Sequence, residues 1–240
     1  MERKNCIMIG IIGAMEIEIQ ELRELMEDRE TETISGIRFD WGLIQGVLCT
    51  LAVCGPGKVN AAVCAQTMAM RFRPRLIINT GVAGGIGEGI HIHDVVIATA
   101  VVQHDMDTSP IGDPVGFISG INLVEIPADE VASSLLAEKA EQIYQGGVFR
   151  GIIATGDQFI ADHQKMRDIS QQFSAMACEM EGGSIGQVCY MNQIPFAILR
   201  AISDNGNDEA VDDYPRFAKE AAARSISLLK ASLPELDASI

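Results

Sequence analysis

Aromatic side chains are scarce in this chain: one Trp, three Tyr and eight Phe among 240 residues. That leaves little from which to build a base-stacking platform for single-stranded nucleic acid. Cations are also few. The 18 Lys and Arg face 33 Asp and Glu, giving a formal net charge of −15 and a pI near 4.6. Such a surface repels phosphate backbones and anionic lipids, so neither nucleic acid nor a membrane is the expected partner. A small neutral or cationic ligand remains open. No apolar stretch approaches the ~20 residues of a membrane span. The six cysteines, Cys6, Cys49, Cys54, Cys64, Cys178 and Cys189, form no CxxC pair. Most lie in apolar runs, where a thiol acts as a small hydrophobe, so the chain reads as a reduced, cytoplasmic protein. There are four histidines. On a strand, His91 and His93 would face one side and Asp94 the other. Neither His104 nor His163 completes a ligand set with them, so no metal is expected and a turn or strand-edge role fits the pair better. Glu2-Arg3-Lys4 before apolar Cys6 to Met15 faintly resembles a signal peptide. Glu16 and Glu18 follow at once without a small-residue cleavage site, so a buried first strand is the expectation.

What is abundant is apolar: 48% of residues, with no linker or charge block in the interior. One domain over residues 1–240 is expected. Short apolar runs alternate with helical spacings. Strands are predicted at Cys6 to Ile12, Ile37 to Trp41, Val47 to Val53, Leu76 to Asn79, Val95 to Val102, Val148 to Ala154, Ala175 to Cys178 and Phe196 to Ala201. Helices are predicted at Glu16 to Met26, Lys58 to Phe72, Asp129 to Tyr144, Glu181 to Met191 and Tyr214 to Leu229. The alternation makes the fold class α/β, a single domain with a mixed central sheet flanked by helices.

Polar and glycine-rich residues gather after the strands: Gly13 to Glu16, Thr80 to Gly85, Gly156 to Phe159, and Ser203-Asp204. In α/β sheets ligands bind beyond the strand ends, so these clusters are expected to meet in one pocket. Gly10-Ile11-Ile12-Gly13 is not GxGxxG, and Gly55-Pro56-Gly57-Lys58 lacks the spacing and hydroxyl of a phosphate loop; their glycines suit tight turns instead. Glu16 and Glu18 fit the first turn of a helix. His104-Asp105-Met106-Asp107 reads equally as a site loop or a plain polar loop. Glu179 and Glu181 interrupt an apolar neighbourhood, and burying an unpaired carboxylate is costly. They share a face only if the strand continues through Met180. Arg200 and Asp204 end a core strand, either as a site or as an ion pair closing it.

Five segments in order, Gly13-Ala14-Met15-Glu16-Ile17-Glu18, Asn79-Thr80-Gly81-Val82-Ala83-Gly84-Gly85, Thr155-Gly156-Asp157-Gln158-Phe159-Ile160, Glu179-Met180-Glu181-Gly182 and Arg200-Ala201-Ile202-Ser203-Asp204, resemble the 5′-methylthioadenosine/S-adenosylhomocysteine nucleosidases of the nucleoside phosphorylase superfamily. The resemblance runs from about Ile9 to Leu229. It implies a nucleoside phosphorylase-like fold, a homodimer, a nucleoside substrate and no cofactor. It further implies that Glu18 activates water, Asp204 protonates adenine N7 and Glu181 holds the ribose hydroxyls. Arg200 would help place the water. Met180 would lie by the sugar, Phe159 on the base, the Ile160 backbone at the base edge, and Ala83 and Gly84 against the nucleoside. The histidine–aspartate loop would lead towards the partner subunit.

Glycosidic cleavage fits these residue types independently, because an oxocarbenium-like state needs an acid at the leaving group and a carboxylate at the water. Three positions depart from the family pattern. Val82 stands where many relatives have Ser, Pro56 where a β-branched aliphatic is usual, and Tyr214 where a Phe often closes the site. They bear on the 5′ preference. Rival readings are a phosphorylase, a nucleosidase for another purine nucleoside such as futalosine or adenosine, and a nucleoside-binding protein without catalysis. Phosphate needs cationic donors, usually Arg, and Asn79-Thr80-Gly81-Val82 lacks both the Arg and the Ser that phosphorylases present there.

Overall fold

The computed structural model describes residues 8–207 and 209–240. The predicted start of the first strand, at Cys6, lies outside them. In chain order the elements are β1 (Ile9–Gly13), α1 (Gln20–Glu24), β2 (Glu27–Ile34), β3 (Ile37–Ile44), β4 (Val47–Val53), α2 (Lys58–Phe72), β5 (Leu76–Gly85), β6 (Val95–Gln103), β7 (Ile126–Pro127), α3 (Glu130–Ile143), β8 (Val148–Thr155), α4 (His163–Phe173), β9 (Ala175–Glu179), α5 (Gly182–Asn192), β10 (Phe196–Asp204) and α6 (Ala210–Ser239).

The sheet is mixed. β1 runs parallel to β4 and β5, β10 parallel to β5, and β6 parallel to β8, whereas β5–β9, β6–β10, β3–β4 and β2–β3 are antiparallel. Because β10 pairs with both β6 and β5, the order β5–β10–β6–β8–β9 closes on itself, and β1, β4, β3 and β2 extend from β5 as an arm. α2 and α5 cover one face through Ala61, Cys64, Met68 and Ile185. α3 and α6 cover the other through Leu136, Ala140, Leu229 and Leu233. These helices cover both faces with small and aliphatic side chains, which fits strands buried on both sides.

Local chemistry sets the helix ends. Asp129 caps α3 by accepting from Ala132 N–H at 2.8 Å, and Asp162 caps α4 by accepting from Lys165 N–H at 2.7 Å. α2 ends on Arg73 in the left-handed region, directly before Pro74.

Several expectations need correction. The helix foreseen over Glu16 to Met26 is a 3₁₀ turn at Glu16–Glu18 followed by the short α1, because the Glu18 carboxylate folds back onto the N–H groups of Ala14 and Met15. β2 was not foreseen: Glu27–Ile34 is exposed along most of its length and lacks an apolar face, as suits a charged edge strand. α4 and β7 were also missed, while α6 begins at Ala210 and runs to Ser239, beyond the predicted span. His91 and His93 lie in the turn before β6, one of the two places expected for them. Their Nδ1 atoms stand 3.8 Å from Asp94 and from Glu220 respectively. Among the described residues no helix is long and apolar enough to cross a membrane.

Candidate active site

The ends of the strands open into one cavity of about 360 Å³. All four clusters foreseen from the sequence reach its wall, together with Met180, Glu181 and Tyr214. Its apolar surface includes Met15, Pro56, Val82, Phe159, Met180 and Tyr214, and its polar surface includes Glu18, Glu179, Glu181, Ser203 and Asp204. Among the described residues that line it there is no Lys, Arg or His.

Glu18 owes its position to a gap in the sheet. One edge of β5 is paired with β1 as far as Asn79 and with β9 only from Gly84, while β10 occupies the other edge. On the unpaired stretch, Val82 N–H donates to Glu18 Oε1 at 3.1 Å. Ala14 and Met15 donate to Oε2 at 2.6 and 2.8 Å. Burial pushes the Glu18 pKa up, opposed by the Arg200 guanidinium and these three N–H groups. Gly81 completes the arrangement, since a β-carbon there would collide with both Arg200 Nη1 and Glu18 Oε1.

Asp204 ends β10 and is 3% exposed. It accepts from Gly206 N–H at 2.9 Å and from the Ser203 hydroxyl at 3.0 Å. Burial raises its pKa against these two donors, and Asp213 raises it further. Gly84 makes room: a β-carbon there would sit 2.8 Å from Asp204 Oδ1. Glu181 stands just beyond β9 as the N-cap of α5, so the strand does not continue through Met180 and the shared-face reading fails. Gly57 N–H donates to its Oε1 at 2.9 Å. Burial and the neighbouring Glu179 push its pKa up to about 7, against Arg200 and Gly57 N–H.

Arg200 does not line the cavity. It is fully buried behind it, donating to Asn79 and Glu179, with Glu181 at 3.7 Å. Burial works against its charge, but Glu179, Glu181 and Glu18 outweigh that and raise its pKa. The partner of Arg200 is thus Glu179, not Asp204. Phe159 is half exposed and meets Tyr214 edge-on at 5.4 Å, while the Tyr214 hydroxyl donates to Met15 Sδ at 3.1 Å. Ile160 is buried and lines a small adjoining cavity with Gly84, Phe159 and Asp204. Ala83 lies on the main wall.

Sequence reasoning gave no role to Asn79 or Thr155, and read Gly57 only as a turn glycine. Asn79 links two strands, its amide donating to Ile12 C=O while its oxygen receives Arg200. Thr155 donates to Glu179 and receives Gly183 N–H. An amide at the centre of a buried strand was the available signal for Asn79. Among the described residues no three His, Cys, Asp or Glu side chains gather as metal ligands.

The chain matches the phosphorylase superfamily over residues 8–234. It is 39% identical to a 5′-methylthioadenosine/S-adenosylhomocysteine nucleosidase of Bacillus cereus over 95% of this chain and 99% of that one. Among solved structures, the nucleosidase of the same name from Neisseria meningitidis, in complex with methylthio-immucillin-A, superposes with a TM-score of 0.91 at 33% identity, covering 95% of this chain and 99% of that one. Futalosine hydrolase of Helicobacter pylori does so with a TM-score of 0.91 at 32% identity, covering 96% and 98%. The chain is a member of the phosphorylase superfamily and, within it, belongs to the 5′-methylthioadenosine/S-adenosylhomocysteine nucleosidase family of N-glycosyl hydrolases.

Proposed function

We propose that this protein, as one nucleoside phosphorylase-like domain over residues 1–240, hydrolyses the N-glycosidic bond of 5′-methylthioadenosine and S-adenosylhomocysteine, releasing adenine and the 5-thio-substituted ribose. The observation that carries it is the meeting of Glu18, Glu181 and Asp204 on one cavity, with burial raising the pKa of each. In this reading Asp204 gives its proton to adenine N7 as the bond to C1′ stretches, and Glu18 takes a proton from the attacking water. Asp204, whose pKa burial raises, and Glu18, where the Arg200 guanidinium and three N–H donors oppose that rise, divide the work as two-carboxylate sites do. Ionised Glu181 accepts from the ribose hydroxyls, Met180 flanks the sugar, Phe159 stacks on the base, and Ile160 offers its backbone to the base edge. Ala83 and Gly84 lie against the nucleoside and Tyr214 closes over it. Arg200 serves from behind, keeping Glu18 and Glu181 able to ionise.

Water is favoured over phosphate because, among the described residues, four carboxylates and no cation line the cavity, while Arg200 is already engaged by Glu179 and Asn79. An inorganic phosphate there would lack the charged donors that phosphate sites use. Likeness to a futalosine hydrolase, together with Pro56 at the wall, supports a second reading in which the 5′ substituent differs. Adenine release from 5′-methylthioadenosine in phosphate-free buffer with a chelator is expected to proceed at full rate. Release that waits for phosphate and yields a sugar 1-phosphate would overturn hydrolysis. A kcat/KM for futalosine or adenosine above that for both thionucleosides would replace the substrate.

The functional unit is read as a cytoplasmic homodimer. The free thiols Cys49, Cys54, Cys64, Cys178 and Cys189 support the reducing compartment. Val59, Val63 and Met70 on α2, and Tyr190 and Met191 on α5, are exposed apolar side chains on two helices that pack together, which supports the dimer. Sedimentation velocity at assay concentration is expected to show a dimer; a fully active monomer would refute this.

A further inference from the structure

The turn Gly55-Pro56-Gly57-Lys58 joins β4 to α2 and supplies the Gly57 N–H to Glu181. Gly57 has φ +99°, a conformation most side chains resist. What holds it is the residue that follows. Lys58 N–H donates to Asp157 Oδ1 at 2.7 Å, and Lys58 Nζ donates to Asp105 Oδ1 at 2.6 Å and Gln103 Oε1 at 3.3 Å. Asp157 N–H in turn donates to Asp105 Oδ2 at 2.9 Å. Three segments are thereby tied together: the start of α2, the residues after β6 and the residues after β8 that present Phe159. Lys58, Asp105 and Asp157 are absent from the cavity wall, and the side chains of Lys58 and Asp105 are 19% and 18% exposed.

We propose that the Lys58–Asp105 ion pair, closed by Asp157, is a positioning clamp that fixes the Gly57 N–H on Glu181 and so keeps the sugar-side carboxylate in the ionised form that accepts hydroxyl hydrogens. The part concerning sugar rests on the role given to Glu181 above. Glu179 from β9, Glu18 from the turn after β1, Arg200 from β10, Cys54 after β4 and Tyr214 from α6 are all coupled electrostatically to this carboxylate. Of the two groups that favour its ionisation, Arg200 is locked in the sheet, whereas Gly57 rides on a turn. Hydrogen bonding to the charged form is worth having only while the donor stays in place. The clamp decides that.

The test uses two variants of opposite charge. Lys58→Met removes a cation, and Asp105→Asn removes an anion while leaving one oxygen where two are needed. Long-range Coulomb effects alone would move the Glu181 titration in opposite directions, up for the first and down for the second. Loss of the Gly57 N–H moves both up, by about one pH unit for one charge-assisted hydrogen bond. The Glu181 carboxyl is followed by ¹³C NMR in the ligand-free protein, assigned with Glu181→Gln. In parallel, kcat/KM for 5′-methylthioadenosine is expected to fall about fivefold at pH 7 in both variants, through KM, and to rejoin wild type above about pH 9. Opposite shifts, no shift, or a loss independent of pH would overturn the clamp. Should the wild type leave 5′-methylthioadenosine intact, the carboxyl titration still decides the clamp, and only the sugar-binding role falls.

Discussion

Asp204→Asn is expected to keep the fold and lose turnover by about 10³-fold, within the range of a single general acid. The side chain is nearly isosteric, and its two hydrogen bonds survive the change. The amide oxygen still accepts from Gly206 N–H, and the Ser203 hydroxyl can rotate from donating to accepting. What disappears is the proton. Burial holds the Asp204 pKa above the ordinary aspartate range, so the wild-type acid stays protonated further up the pH scale than an exposed aspartate would. On the proposed assignment the alkaline limb of the kcat profile reports Asp204, and it is expected to vanish from the residual activity of the variant. A ribosyl substrate with a leaving group that departs as a stable anion, such as p-nitrophenolate, needs no such proton. The deficit should shrink by more than tenfold on it if one acid is responsible. Full activity of Asp204→Asn on 5′-methylthioadenosine would end the assignment.

The layout of the sheet was legible because its inner strands are continuous apolar runs and its helices carry small residues at helical spacing. Lys58 to Phe72 and the α3 span came out within a residue or two because caps and a proline mark them: Asp129 at one start and Pro74 after one end. β2 was invisible for the converse reason. Its side chains point largely to water, and a hairpin with β3 across Ser35-Gly36 holds it in place, so it shows no alternation of apolar and polar residues for periodicity to read. The first helix failed because a local contact, the Glu18 carboxylate folding back onto the N–H groups three and four residues earlier, outweighed helical spacing in the opening turn.

The site divides along the same line. Residues that end strands were found, since strand ends are readable and carboxylates in apolar surroundings are conspicuous. Their supports were not. The gap on β5 that frees Val82 N–H depends on which strands lie beside it, and Gly81 matters only because Arg200 and Glu18 converge over it. Glu179 and Glu181 looked alike in sequence. The end of β9 between them turns Glu179 inward to Arg200 and Thr155, and leaves Glu181 under the Gly57 N–H.

Arg200→Met is expected to cost about 3–5 kcal/mol of stability, because it strands Glu179 as a buried charge without its partner. For a chain of this size that corresponds to a thermal midpoint lower by about 10 °C. The change removes a fully buried cation that three carboxylates share, so Glu18 and Glu181 also lose the group that most opposes the burial-driven rise of their pKa values. Both pKa values should then rise further, and hydrolysis at pH 7 should fall by at least about 10²-fold, the scale of one acid–base group. The two losses can be separated. Adding Glu179→Gln to Arg200→Met neutralises the stranded charge, so stability should recover by more than about 1 kcal/mol, as coupling within a buried pair predicts. Activity at pH 7 should not recover with it, since Glu18 and Glu181 remain without their cation. It should rise instead with pH in both variants, following the ionisation of the two carboxylates until the acid on Asp204 is spent. A double variant that regained stability and neutral-pH turnover together would show that Arg200 serves the fold alone. A single variant as stable as wild type would show that Glu179 finds another partner.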